Sequence, residues 1–289
     1  MKLPGIVVEA GREFAAGLPF QQAAALSYYT LLSMAPLLLV ITGLSGYLIS
    51  EAAVQRELIG QVRDLVGQQG ADLMRTVLAN ATAPGRGVAS MVIGVTLMLI
   101  GATTVFAQLQ SALNRVWHVE AVPANALTGF VRARLMSFAM VLGIGFLLLV
   151  SLVASATLVA LHAYLARLIP GFGMVWNAAD LIGSYALVAL LIALLFKFVP
   201  DVRIDWTSTW LGALATACLF TVGKSLIGLY LGRASVGSAY GAAGSAVVLM
   251  VWVYYASLIL FYGAALTRVI ARHRGTPIEP SEFARSMPT

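Results

Sequence analysis

The sequence predicts an all-α integral membrane protein, with six transmembrane helices plus amphipathic interfacial helices. Three observations carry that expectation. Hydrophobic residues make up 60% of the 289 residues and charged residues only 10%, against about 25% charged in a soluble domain. The apolar residues gather in runs that hold no charge at all, the first from Phe14 to Ser50. The cations sit mostly between those runs. A net charge of +6 could suggest nucleic acid in a soluble protein, but this placement points to membrane orientation and to no nucleic-acid partner.

A hydrocarbon core about 30 Å thick needs about 20 apolar residues of helix, and every span must be helical because unpaired backbone groups are too costly there. Pro19, Gln21 and Gln22 make a poor start to a lipid-facing helix. The first span is therefore placed near 26–49, after a short interfacial helix. The charge-free run from Gly87 to Asn114 holds the second span near 88–109. The run from Leu135 to Ala166 holds the third near 135–161. The fourth lies at 180–197, short but with Asp180 and Lys197 able to reach the headgroups. The fifth is placed at 206–230 and the sixth at 246–266. Between the first two spans, Val54, Leu58, Val62, Leu65 and Val66 recur at helical spacing, as do Leu73, Val77 and Leu78. Residues 51–82 read as two amphipathic helices broken near Gly67–Gly70, either a cap on the bundle or a lid over a cavity. One membrane domain covers 1–272, and 273–289, with Pro277, Pro280 and Pro288, reads as a flexible tail.

Six spans put both ends on one side. The N-terminus, the 111–134 and 197–205 loops and the C-terminus hold most of the Lys and Arg, while the two short opposite loops hold Arg167 and Arg233. This bias makes the ends cytoplasmic. The single cysteine, Cys218, lies in an apolar run and excludes an intramolecular disulfide. Glu9, Arg12 and Glu13 interrupt the N-terminus, which does not read as a secretory signal.

Several segments resemble the YihY/BrkB family of bacterial inner-membrane proteins. They are Ala24-Ala25-Leu26-Ser27-Tyr28-Tyr29-Thr30-Leu31-Leu32-Ser33-Met34-Ala35-Pro36, Asn114-Arg115-Val116-Trp117, Lys197-Phe198-Val199-Pro200-Asp201, and Tyr240-Gly241-Ala242-Ala243-Gly244 leading to Val251-Trp252-Val253-Tyr254-Tyr255. The resemblance implies six spans and cytoplasmic ends, and the helices of 51–82 then lie on the outer, periplasmic side. It carries two functional labels, a tRNA-processing ribonuclease and a virulence or serum-resistance factor. Where the family has Gly-Ala-Glu near the end of its last span, this chain has Gly263-Ala264-Ala265.

The residues argue against the ribonuclease label. His118, His162 and His273 are isolated, without metal-ligand spacing, and no soluble domain offers an acid and a base to RNA. No P-loop, Gly-x-Ser-x-Gly or dinucleotide fingerprint occurs. The chain is expected not to be an enzyme, and no metal or cofactor is expected.

Polar residues inside the spans remain, and these are costly in lipid and mark paths or buried contacts. Lys224 lies 18 residues after Trp206, about 27 Å along a helix. It either snorkels outward or holds an anion in a cavity. Asp180 either pairs with it or caps a helix. Tyr28, Ser33 and Pro36 lie in the first span, where Pro36 frees a backbone carbonyl. The other two either satisfy such carbonyls or line a polar path. Tyr240 lies in the Gly- and Ala-rich stretch 232–245, a possible re-entrant segment and gate. Asn114 and Arg115 read as interfacial anchors, and Lys197, Pro200 and Asp201 as a turn at the headgroups. Gly228-x-x-x-Gly232 and Gly237-x-x-x-Gly241 permit close helix approach. Two functions fit: a transporter or flippase-like protein for an amphiphilic or anionic solute, or a non-transporting envelope scaffold. Membrane lipids are the expected partners, with a homo-oligomer possible.

Overall fold

The computed structural model describes residues 3–45, 51–81, 88–122, 172–233, 240, 243–282 and 284–287. Helix α1, Leu3–Ala16, is followed after Leu18 by α2, Pro19–Ser45, whose first residue is a proline, favoured there because its missing N–H would have no helical partner. Then come α3, Glu51–Val66, and α4, Gln68–Ala81, separated by Gly67 at φ 88°. Helix α5 runs over Val88–Val116, α6 over Phe172–Phe198, α7 over Trp206–Arg233 and α8 over Gly244–His273. The third expected span, 135–161, lies outside the described residues. Among the described helices, α7 over Trp206–Tyr230 and α8 are long and apolar enough to cross a membrane.

The core is apolar, but it also takes in polar side chains, and large apolar side chains are exposed outside it. Ser27, Ser33, Asn114, Ser208, Thr209, Thr216, Ser257 and Thr267 are buried. Val7, Val8, Phe20, Leu32, Ile182, Val222, Leu226 and Leu229 are exposed. Large apolar side chains exposed on four helices suit an apolar surrounding phase. The buried hydroxyls turn back on their own helices: Ser33 Oγ donates to Thr30 O at 3.0 Å, and Ser257 Oγ to Val253 O at 2.6 Å. Of these buried hydroxyls, Ser27, Ser33, Thr209, Thr216, Ser257 and Thr267 are satisfied by carbonyls of their own helices, while Ser208 Oγ is left without such a partner.

Lipid tails give helices no hydrophobic reason to associate, so close packing has to hold them. Helices α7 and α8 meet through two reciprocal pairs. Gly212 has no room for a Cβ because Thr267 fills that space, and Gly263 has none because Thr216 fills it. Thr216 Oγ1 donates to Gly212 O at 2.6 Å and Thr267 Oγ1 to Gly263 O at 2.7 Å. Each threonine is thus packed against one glycine and bonded to the other. Gly223 extends the contact against Ile259 and Tyr255, and Gly101 of α5 lies against Ser33 of α2. Gly228, expected to serve such a contact, faces open space.

One large core fills the end of the bundle where the tail lies. Phe106 and Leu113 of α5, Phe196 of α6, Ala213 and Ala217 of α7 and Phe261 of α8 meet there. At the opposite end the α3–α4 hairpin lies against α2, α7 and α8, with Val66 packed among Ile227, Val248 and Leu249. This is the arrangement of a cap seated on three helices. The stretch expected as a flexible tail carries two strands. β4, Ala284–Ser286, pairs antiparallel with β1, Val119–Ala121, and β3, Glu279–Pro280, pairs with β2, Val202–Arg203. Ile278 packs with Trp117, Val119, Val202 and Ile204 beneath them. Apolar side chains in a polar segment, covering two loops, hold it in place.

Replacing Gly263 by Val should destabilise the fold by about 1–3 kcal/mol, the usual cost of forcing atoms into a filled contact. Thermal unfolding in detergent reads this. Gly228→Val, facing open space, should cost far less, and equal losses would refute the reciprocal contact.

Candidate functional site

Polar chemistry gathers at the tail end, and its centre joins two of the sequence segments singled out above. Asn114, at the last turn of α5, is buried. Its Nδ2 donates to Asp201 Oδ2 at 2.9 Å, and its Oδ1 accepts from the Asp201 backbone N–H at 2.8 Å. Gln110, one turn earlier, donates to the same carboxylate oxygen at 3.2 Å. Asp201 O accepts from Ser281 N–H at 2.9 Å, which ties in the tail. Asn114, reading as an anchor, and Asp201, reading as a turn, are therefore one latch across α5, the α6–α7 turn and the tail. Pro200 is buried within that turn, and Arg115 is exposed beside it. Lys197 donates to Ile204 O and lies 5.3 Å from the centre of the Trp206 ring.

A second cluster fastens α1 to the end of α8. Glu13 and Arg268 pair at 3.3 Å with side chains only 18% and 17% exposed. Arg268 also donates to Val116 O at 3.2 Å. Arg272 pairs with Glu9 and, at 2.7 Å, with Glu13. The acids of α1 thus turn inward onto arginines while Val7 and Val8 turn outward. Burial and the Arg268 charge push the His118 imidazole below its ordinary range. Burial pushes the Asp205 carboxyl up, but donation from Ser208 and Thr276 and the Arg274 charge outweigh it and hold the group low. Its Oδ2 accepts the Ser208 backbone N–H at 2.9 Å as a cap on α7.

At the opposite end, described side chains of α6 and α7 are exposed. Residues seven apart on a helix return to nearly the same face. On α6, Phe196 and Ala189 are 0% exposed, yet Ile182, next on that face, is 67% exposed. On α7, Ala217 is 0% exposed in the same core cluster as Ala189 and Phe196, yet Lys224, next on its face, is exposed. Among the described residues these faces of the two helices are therefore buried at the tail end and exposed at the far end. Tyr185 marks the change, its hydroxyl donating to Leu214 O at 2.6 Å. That register puts Asp180 at about the level of Lys224. The Asp180 and Pro36 side chains lie outside the described residues, although α6 and α2 run through both positions.

The remaining candidates do not converge there. Ser33 is buried against Gly101. Tyr28 is half exposed on α2, with its ring 5.6 Å from that of Tyr29. Tyr240 is exposed in the turn before α8, and most of the 232–245 stretch lies outside the described residues. Among the described residues no hydrogen bond, ion pair or ring contact joins Lys224, Tyr28 and Tyr240. Sequence reasoning missed Gln110, Ser281 and the Glu13–Arg268 pair. The acids and arginines at the two chain ends were a usable signal, since opposite charges flanking apolar runs on one side can meet.

Asn114→Ala leaves the buried Asp201 N–H without its acceptor and should cost about 1–3 kcal/mol. Limited proteolysis should then release the tail faster, and unchanged cutting would refute the latch. Asp205 is held below the ordinary carboxylate range, so its contribution to stability is full above that range and is lost as pH falls through the folded value. Asp205→Asn should flatten the decline in melting temperature below about pH 4, and an unaltered acid limb would contradict this.

Comparison with known proteins places these features in a family. UPF0761 membrane proteins of Verminephrobacter eiseniae and Alkalilimnicola ehrlichii are 27% and 28% identical to the chain, over 85% and 88% of its length. That of Albidiferax ferrireducens is 23% identical over 88%. The alignments cover 57%, 56% and 60% of those proteins, so the chain spans somewhat over half their length. No solved structure matches it. The family described as Virulence factor BrkB matches residues 12–286, nearly the whole chain including the latch and the tail strands, and this protein belongs to that family of membrane proteins.

Proposed function

We propose that the chain is a six-span inner-membrane protein with both ends cytoplasmic, acting as a transporter or flippase-like protein for an amphiphilic or anionic solute rather than as a catalyst. Support for the topology comes from the two ends of the bundle. The start of α1, the ends of α5, α6 and α8, the start of α7 and the tail meet at one end, where Arg12, Arg115, Lys197, Arg203, Arg268 and Arg272 also lie. Cations concentrate on the cytoplasmic side. Helix α5 arrives at this end and α6 starts from the other. A crossing is needed between them, and the charge-free run from Leu135 to Ala166 is long enough to supply it.

One observation carries the functional reading: the faces of α6 and α7 that are buried around Phe196 and Ala217 are exposed at Ile182 and Lys224. An opening closed at the cytoplasmic end and open to the far side and to lipid is the form of one state of an alternating-access or lateral-entry device. The outer hairpin rests on α2, α7 and α8.

Reconstitution tests this. In proteoliposomes the full chain should move fluorescent anionic lipid or soluble anions faster than protein-free vesicles do. With Cys218→Ser as background, Ile182→Cys and Thr221→Cys bridged by a bifunctional maleimide should stop most of that movement. No movement for any probe, or movement indifferent to the bridge, would overturn the reading.

A further inference from the structure

We infer that the tail from Thr276 to Met287 is a releasable strap, which opens as one unit and, while closed, keeps the tail end of the bundle shut. The strap names what regulates the proposed transport, and it rests on that reading for the step that its release permits.

The strap reaches three helix ends. β4 lies on β1, which directly follows α5, and Met287 N–H donates to His118 O at 2.9 Å. β3 lies on β2, between α6 and α7, and Ser281 N–H donates to Asp201 O at 2.9 Å. Its root is the end of α8. Pro280 and Ala284, the facing ends of the two tail strands, are four residues apart. A chain of that length spans at most about 14 Å. While both strands stay paired, β1 and β2 are tethered within that reach, and the ends of α5 and α6 with them. Wide separation of these helix ends requires one strand pair to let go.

Three features make the strap releasable. First, the end of α8 completes itself ahead of it. Gly275, at φ 68°, and Thr276 donate their N–H groups to Arg272 O and Ala271 O, both at 3.1 Å, so the strap swings without uncapping the helix. Second, its charges are wet. The Arg203–Glu282 and Arg285–Glu120 pairs have side chains between 50% and 73% exposed and hold it weakly. Third, the closed state leaves polar atoms buried without a hydrogen bond among the described residues. These are Ser281 Oγ in the strap and Trp117 Nε1 in the apolar cluster that Ile278 covers. Both are costs of closure that water relieves on opening. The threonines between α7 and α8 have their hydroxyls bonded, so the strap is the part that opens first.

Hydrogen exchange on the full chain in nanodiscs tests the strap apart from movement. The Ser281 and Met287 amides, one at each strand pair, should show equal protection, well below that of α7 and α8 around Gly212 and Gly263. Ser281→Glu, which sets a second carboxylate beside Asp201, should speed both about tenfold. Ser281→Ala removes only the unpartnered hydroxyl and should speed neither. Glu120→Arg makes an exposed contact with Arg285 repulsive at β1, and should speed Ser281 at the other strand pair about threefold. Spin labels at Arg115→Cys on α5 and Thr207→Cys on α7, in a Cys218→Ser background, should spread apart in Ser281→Glu. Response of one strand pair without the other, exchange unchanged in Ser281→Glu or faster in Ser281→Ala, or a fixed label distance once the strap exchanges freely would overturn the inference. A strap that passes these tests in a chain that moves no probe in proteoliposomes would sink the transport reading alone. Movement with a strap that fails them would do the reverse.

Discussion

Backbone and side-chain polar groups in hydrocarbon have to find their partners inside the protein, and the rest of this structure depends on that constraint. It explains why the hydroxyls of Ser33, Thr216, Ser257 and Thr267 turn back on carbonyls within a turn of their own helices. It explains why the acids of α1 face inward while Val7 and Val8 face out. It also removes the hydrophobic effect as the force between helices. Contact must then come from atoms meeting closely, and the reciprocal Gly212–Thr267 and Gly263–Thr216 pairs are that contact. A threonine in such a pair satisfies its hydroxyl locally and offers only methyl and methine surface across the interface. The residue types that look polar in sequence therefore act here as packing groups.

The two ends of the bundle obey the constraint differently. At the tail end, headgroups and water are near, so polar groups can be concentrated. The Asn114–Asp201 latch, the Glu13–Arg268 pair and two short strand pairs all join segments far apart in sequence. Each fastens a loop or terminus to a helix end, and together they fix the positions of α5, α6, α7 and α8 at one level. Aromatic and aliphatic side chains, Phe106, Phe196, Phe261 and Leu113, then fill the space directly within. At the far end α7 and α8 remain joined through Gly223, while Ile182 of α6 and Lys224 of α7 are exposed.

Apolar runs and their periodicity are visible in one dimension, and the described helices fall close to the expected spans. Helices α5 and α7 begin at the expected residues, Val88 and Trp206. Helix α2 begins at Pro19, earlier than expected, because Gln22 is not exposed to lipid but bonds Gln108 across to α5 at 2.8 Å. Composition could not show that partner. The tail is the clearest difference. Its prolines and charges suggested a flexible segment, yet pairing with β1 and β2 and burial of Trp117 are long-range events that no local pattern announces. Within the candidate site, Lys224 stood out because a charge in an apolar run is rare. Its position on the face that Ala217 starts depended on knowing which side of α7 meets α6. Asn114 and Asp201 were each noticed for a local role, and only the fold joined them.

Among the described residues α7 is gripped unequally on its two sides. On its α8 side α7 is locked at Gly212, Thr216 and Gly223, contacts spread over three turns with no room for even a methyl group. Sliding α7 along α8 would drive threonine side chains into backbone, so the pair behaves as one body. On its α6 side the buried contact stops near Tyr185 and Leu214, with a single hydroxyl-to-carbonyl bond at the edge. Below that bond α6 is held by Ala189, Ala193 and Phe196 in the core and by the Asp201 turn at its end. Beyond Tyr185 the described side chains of α6, Ile182 to Ser184, are exposed, so among the described residues the firm hold on α7 is the one that α8 supplies.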